Sequence, residues 1–140
     1  MTFQVIYSVY GIPQGKGRPR FTRQGRAYTP KKTMDYEEEI RLMAQKAMGS
    51  TELLETPVAV YIYANFPIPD SYSKKRKEQC LSGKEKPTKK PDGDNICKAF
   101  CDAMNGVVYK DDAQVVSLHF TKRYDAIASV HVCVREELEL

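Results

Sequence analysis

Val58, Val60, Ile62, Ala64 and Phe66 recur at every second position, and a period of two held over that length dictates a β-strand with one buried face. Such a strand needs partners at its edges and a layer over its face. Phe3, Val5, Tyr7 and Val9 alternate in the same way and end at Gly11 and Pro13. Val116, Leu118 and Phe120 alternate again, as do Val130, Val132 and Val134. These last two runs read as a hairpin that turns near Tyr124–Ala126, with the named residues on one side.

The covering layer is helical. Tyr36, Ile40, Met43, Ala44 and Ala47 follow helical spacing behind Thr29-Pro30, read as an N-cap with proline in the first turn, and Gly49 lies just past the end. Ile96, Ala99, Phe100, Ala103 and Met104 form a second apolar stripe, stopped by Asn105-Gly106. Residues 67–91 are rich in proline, lysine and serine and show little periodicity. They read as a flexible basic surface loop, with room for a helical turn near 73–80. The predicted order is β-α-β-loop-α-β-β. The expected fold class is α+β (α/β), a mixed sheet with helices packed on one face, in a single domain over residues 1–140.

The chain has 140 residues, 41% of them hydrophobic, and no apolar run near the ~20 residues that span a bilayer. MTFQVIYSVYGIPQGKG lacks the basic start and long apolar stretch of a signal peptide, so a cytoplasmic protein without membrane contact is expected. Cys80, Cys97, Cys101 and Cys133 match no zinc spacing and read as unpaired thiols in a reducing compartment. The net charge is only +4, but it is unevenly spread. Seven basic residues and no acid lie in 14–34, and eight basic residues with two acids lie in 74–90. The acids gather at 35–39, 92–112 and 136–139. Basic arms around an acidic centre suit a polyanion held at the edges and a cation held between them.

That centre is KKPDGDNICKAFCDAMNGVVYKDDAQVV, residues 89–116. Asp92 and Asp94 stand at the helix entry. Asp94, Lys98 and Asp102 are four apart and share one helical face, away from the apolar stripe. Asp111 and Asp112 follow the helix and precede a strand, so a short return brings them back beside Asp92 and Asp94. Carboxylates so close repel one another. Mg²⁺, an oxygen-seeking ion that uses one or two carboxylates plus water and phosphate oxygens, relieves that repulsion. The same ion activates water and stabilises charge on a phosphodiester, with Lys98 placed to contact the phosphate. The spacing also fits plainer roles: Asp as a helix cap, Asp-Asp as turn chemistry, Asp94–Lys98 as a surface pair. An EF-hand is excluded by the glycine at the second position of the acidic run and by the lack of a closing Glu.

PDGDNICKAFCDAMNG…YKDDAQV resembles the signature of the RusA family of Holliday junction resolvases of bacteria and their phages. The family pattern places two Asp one residue apart, then Asn, then Lys four after the second Asp, then Asp-Ala-Leu-Asn-Gly and a closing Asp-Asp pair. Here these are Asp92, Asp94, Asn95, Lys98, Asp102-Ala103-Met104-Asn105-Gly106 and Asp111-Asp112, with Met104 in place of Leu. GIPQGKGRPRFT at 11–22 is similar, more loosely, to the family's basic N-terminal motif. The resemblance implies a symmetric homodimer that cuts four-way DNA junctions with Mg²⁺ or Mn²⁺. It implies Asp92, Asp94 and Asp112 as the essential carboxylates holding metal, and Lys98 as the essential lysine. Asp111 and Asp112 can exchange roles, since the spacing before the pair varies among relatives.

Lys16, Arg18, Arg20, Lys89 and Lys90 are the expected phosphate contacts to DNA, by charge and by the glycines that permit close approach. Tyr28, Tyr61, Tyr63 and Tyr72 are the tyrosines expected to be exposed. Phe66, before a proline, is either a core residue or a wedge at a junction. His119 and His131 are placed opposite each other on the outer side of the last hairpin. The overall expectation is a metal-dependent, structure-selective endodeoxyribonuclease of bacterial or phage origin, a junction resolvase acting in DNA recombination and repair. A nuclease for flaps or forks, or a branched-DNA binder without catalysis, are the alternatives.

Overall fold

The computed structural model describes residues 3–17 and 19–138. Four strands form the main sheet: β1 (Gln4–Tyr10), β4 (Val58–Pro67), β5 (Val115–Asp125) and β6 (Ser129–Glu136). Two further strands, β2 (Arg20–Phe21) and β3 (Ala27–Tyr28), make a small separate ribbon in the basic arm. The helices are α1 (Lys31–Met48), α2 (Lys74–Leu81) and α3 (Gly93–Met104), and a 3₁₀ turn at Asp112–Gln114 leads into β5.

The expected alternations pack as read on β1, β4 and β6. Val5, Tyr7 and Val9, then Val58, Val60, Ile62, Ala64 and Phe66, then Val130, Val132 and Val134 are all buried. They meet Ile40, Ala44, Phe100 and Met104 from α1 and α3 in one core. The sheet is mixed and its order is β1-β6-β4-β5. The predicted hairpin is therefore wrong. β6 pairs antiparallel with both β1 and β4, and β5 pairs parallel with β4, so β4 separates the two last strands.

Burial decides the exchange. β6 turns three valines fully inward, whereas β5 leaves Leu118 about half exposed and places Val116 at a register shift, where it is exposed. The fully apolar strand takes the centre and the mixed one takes the edge. Residues 126–128 span the two strand spacings of about 4.8 Å each, which a few extended residues can reach.

α1 begins one residue later than expected. Pro30, not Thr29, is its N-cap, and no side chain bonds the free N–H groups. Its buried stripe is Thr33, Tyr36, Ile40, Ala44 and Met48, so Met48 replaces Ala47 as the last inward residue. The segment read as a loop holds the two-turn α2, whose N-cap Ser73 accepts a hydrogen bond from Arg76 N. Tyr72 meets Tyr124 edge-on and lies under Arg76, which is bonded through two nitrogens to Glu85. The Lys122 ammonium bonds to the carbonyls of Lys89 and Pro91, tying the approach to α3 onto β5. On the other face of the sheet, Ile6, Tyr10 and Tyr63 are exposed. No helix among the described residues is long and apolar enough to cross a membrane.

Candidate active site

α3 enters the fold at the edge strand. Asp92 is its N-cap, with extended φ −69° and ψ 154°, yet its carboxylate makes no capping bond. It stays exposed at the positive end of the helix dipole, as does Asp94 in the first turn. Gly93 separates them for a steric reason. A Cβ at Gly93 would lie 2.8 Å from Cε2 and 2.9 Å from Cδ2 of Phe120 on β5. The missing side chain lets the helix start lie directly on the strand.

A cleft of about 570 Å³ opens between α3, the 3₁₀ turn and β5. Asp94, Lys98, Asp102 and Asp112 line its polar side. Its apolar lining comes from Cys97 and Cys101 on the same helix and from Val115, Leu118 and Phe120 on β5. The helical spacing of Asp94, Lys98 and Asp102 thus reads through to one face. Asp92 is not among the residues of the cleft. Among the described residues, no three acidic, histidine or cysteine side chains gather closely enough to form a ready-made metal cage.

The Asp111–Asp112 pair divides its work. Asp111 closes a capping box: its carboxylate accepts from Ala113 N at 3.1 Å, and Gln114 Oε1 accepts from Asp111 N at 3.0 Å. Gln114 then donates to the carbonyls of Leu54 and Thr56, both at 2.9 Å, which pins the turn to the body of the protein. Asp112 is left to face the cleft. Burial, then the charges of Asp111 and Asp102 and a side-chain contact with Asp102, raise its carboxyl pKa above the ordinary aspartate value.

Lys16, one of the expected DNA contacts, is held by two carboxylates. Its ammonium bonds Glu37 Oε1 at 2.5 Å and lies 3.2 Å from Asp102 Oδ2, while its backbone N–H donates to Asn95 O at 2.9 Å. Partial burial lowers the Lys16 pKa, but the bonds to Glu37 and Asp102 outweigh it and hold the ammonium above the usual lysine value. Gly15 packs against Asn95 and Pro91, and Gly17 N donates to Thr33 Oγ1 at 3.0 Å. Lys16 therefore fastens the root of the basic arm to α1 and α3 and steadies Asp102. Lys98 is more exposed and lies 3.9 Å from the same Asp102 oxygen.

Arg20, Lys89 and Lys90 are exposed and make no ion pair among the described residues. Arg18 lies outside the described residues. Sequence reasoning missed Glu37 and the apolar wall of the cleft. Nothing in the sequence pairs Glu37 with Lys16, while Leu118 and Phe120 carried a signal that was spent on the core.

The other candidates resolve simply. Phe66 is buried in the core. His119 stacks on Tyr61 at 4.5 Å, and His131 is within 2.6 Å of Ser8 Oγ, so the two histidines lie on strands separated by β4 and do not face each other. Tyr28 and Tyr63 are exposed, Tyr61 and Tyr72 half-buried. All four cysteines are free. Burial, with the neighbouring Cys101 and Asp94, pushes the Cys97 thiol up to about 12, and burial raises Cys101 to about 11. Both stay protonated, so the wall they form is neutral.

The sequence profile of a family described as endodeoxyribonuclease RusA matches residues 11–135 of this chain. The uncharacterized protein YqaN of Bacillus subtilis (strain 168) is 38% identical over 137 residues, which cover 94% of this chain and 96% of YqaN.

Proposed function

The chain belongs to the endodeoxyribonuclease RusA family, and from that premise we propose a metal-dependent nuclease that resolves four-way DNA junctions by paired symmetric nicks in recombination and repair. The observation that carries the reading is the shared cleft of Asp94, Lys98 and Asp112.

The donor chemistry fits a divalent ion. Burial and the neighbouring charges of Asp111 and Asp102 raise the Asp112 pKa, and a bound cation would offset both. Asp92, Asp94 and Asp112 would hold Mg²⁺, with Mn²⁺ as a substitute, and an ion there supplies a more acidic water and Lewis-acid stabilisation of the phosphate. One or two of these carboxylates suffice as direct ligands, because Mg²⁺ keeps waters and substrate oxygens in its shell.

The remaining work falls to the chain. Lys98 shares Asp102 with Lys16 and is the more exposed of the two lysines. Its ammonium can thus turn to a phosphate oxygen while Lys16 keeps Asp102 neutralised. Arg20, Lys89 and Lys90 grip phosphates away from the cut, with Arg18 assigned the same role on sequence grounds. Two copies about a two-fold axis place the two nicks symmetrically across a junction, so the active form is a homodimer, working in the cytoplasm.

The test is cleavage of a synthetic four-way junction and a matched linear duplex, with Mg²⁺ or chelator, beside Asp94→Asn. Paired nicks in the junction alone, lost with chelator and in Asp94→Asn while binding persists, are the expected result. Cutting of flaps without paired nicks would move the substrate to other branched DNA. Tight junction binding with no cut under any divalent metal would leave a DNA-binding protein in place of an enzyme.

A further inference from the structure

We propose that the apolar wall of the cleft receives one unstacked nucleobase of the strand being cut, and that this is how the protein tells branched DNA from duplex. The inference rests on the nuclease reading of the same cleft.

A hydrated cation and a phosphate need only the polar side, where Asp94, Lys98, Asp102 and Asp112 stand. They give no reason for the apolar lining beside it, Cys97 and Cys101 on α3 and Val115, Leu118 and Phe120 on β5. That wall is kept apolar. Its two thiols are protonated at neutral pH, and Leu118 is 49% exposed toward solvent on an edge strand. About 570 Å³ is a typical volume for a site that encloses a small organic ring system.

A ligand that is anionic at one end and flat and apolar at the other, within one cleft width, is a nucleotide. Its phosphate meets the lysine and carboxylate side, and its base meets Leu118 and the half-buried Phe120 ring. In continuous duplex every base is stacked and paired, and extracting one costs a few kcal/mol; the cost is least for a base that already lacks a partner. A branch point supplies bases whose stacking is interrupted. The cleft therefore converts the geometry of the DNA into a difference in binding without reading the rest of its sequence.

The experiment places 2-aminopurine, singly, at each position flanking the cut in a four-way junction, bound to Asp94→Asn protein to prevent turnover. Fluorescence is expected to rise on binding at one position beside the cut, and not when Leu118→Asn is added to the protein. An abasic site at that position and Leu118→Asn in otherwise unmodified protein are each expected to raise KM roughly tenfold. Combined, they should cost little more than either alone, because both remove the same contact. Leu118→Met should restore the unmodified behaviour, and the melting temperature of each variant checks that it folds. Wild-type cleavage with no brightening at any position, or full additivity of the two changes, would overturn the base site and leave the nuclease standing. Failure of the unmodified protein to cut any branched DNA would remove the nuclease reading itself, and this inference with it.

Discussion

Gly93 is fixed by its neighbour more than by its own backbone. The Phe120 ring occupies the space a Cβ would take, at 2.8 Å. Gly93→Ala is expected to lower stability by about 1–3 kcal/mol, the usual cost of forcing a methyl into packed space. Because Phe120 borders the cleft, it should also weaken cleavage; denaturant melts and kcat/KM measure the two effects. A melt unchanged within about 0.5 kcal/mol would mean that the ring moves aside freely.

Asp112 carries the pH signature of the site. Its pKa is higher in the fold than in the unfolded chain, so the folded state binds the extra proton. Stability from this group is present at low pH and is lost as pH rises from the ordinary aspartate range through the raised value. Asp112→Asn should thus raise the melting temperature of metal-free protein at neutral pH, by an amount matching ~0.2–1 kcal/mol for a partly exposed charge. The gain should vanish in acid, and Mg²⁺ should stabilise the unmodified protein more than the variant. Equal melting temperatures at every pH would show that neither burial nor the charges of Asp111 and Asp102 perturb Asp112.

At the scale of elements, the basic arm is a tethered strand pair and not a free tail. Lys16 is committed to Glu37 and Asp102, whereas Arg20, Lys89 and Lys90 are exposed. The two groups should separate in a salt titration of DNA binding. Arg20→Ala, Lys89→Ala and Lys90→Ala are each expected to lower the slope of log affinity against log salt by ~0.9, as one phosphate contact is lost. Lys16→Met should leave that slope in place and destabilise the fold by about 1–2 kcal/mol, because two carboxylates lose a charged donor. If Lys16→Met changes the slope like the others, Lys16 leaves its partners to meet DNA.

At the scale of the molecule, the first and last strands of the main sheet, from the two ends of the described chain, pair side by side: Gln4 with Arg135 and Tyr10 with Ser129. β6 lies between β1 and β4, so opening it dismantles the core. Amide hydrogen exchange should show the inner positions of β6 and β4 exchanging only through global unfolding, with β5 faster along its unpaired edge. A β6 that exchanges as fast as β5 would contradict the sheet order.

Much of this was legible in the chain. Residue alternation set the buried faces of β1, β4 and β6, since side chains on a strand must alternate whatever lies beside them. The four-residue spacing of Asp94, Lys98 and Asp102 set their common helical face for the same local reason. The acidic signature and its basic arm pointed to the family that the match over residues 11–135 then showed. What periodicity cannot carry is which strand pairs with which. β5 and β6 each look like a partner for the other, and only the competition for burial around β4 placed three valines inside and left Leu118 at the edge. The same holds for Lys16, whose charge in the sequence promises DNA but whose neighbours Glu37 and Asp102 come from two other elements. Local pattern is decided by the geometry of the backbone, within a few residues. Pairings across the chain are decided by which arrangement buries the most apolar surface and leaves the fewest charges alone, and that sum exists only once the chain has folded.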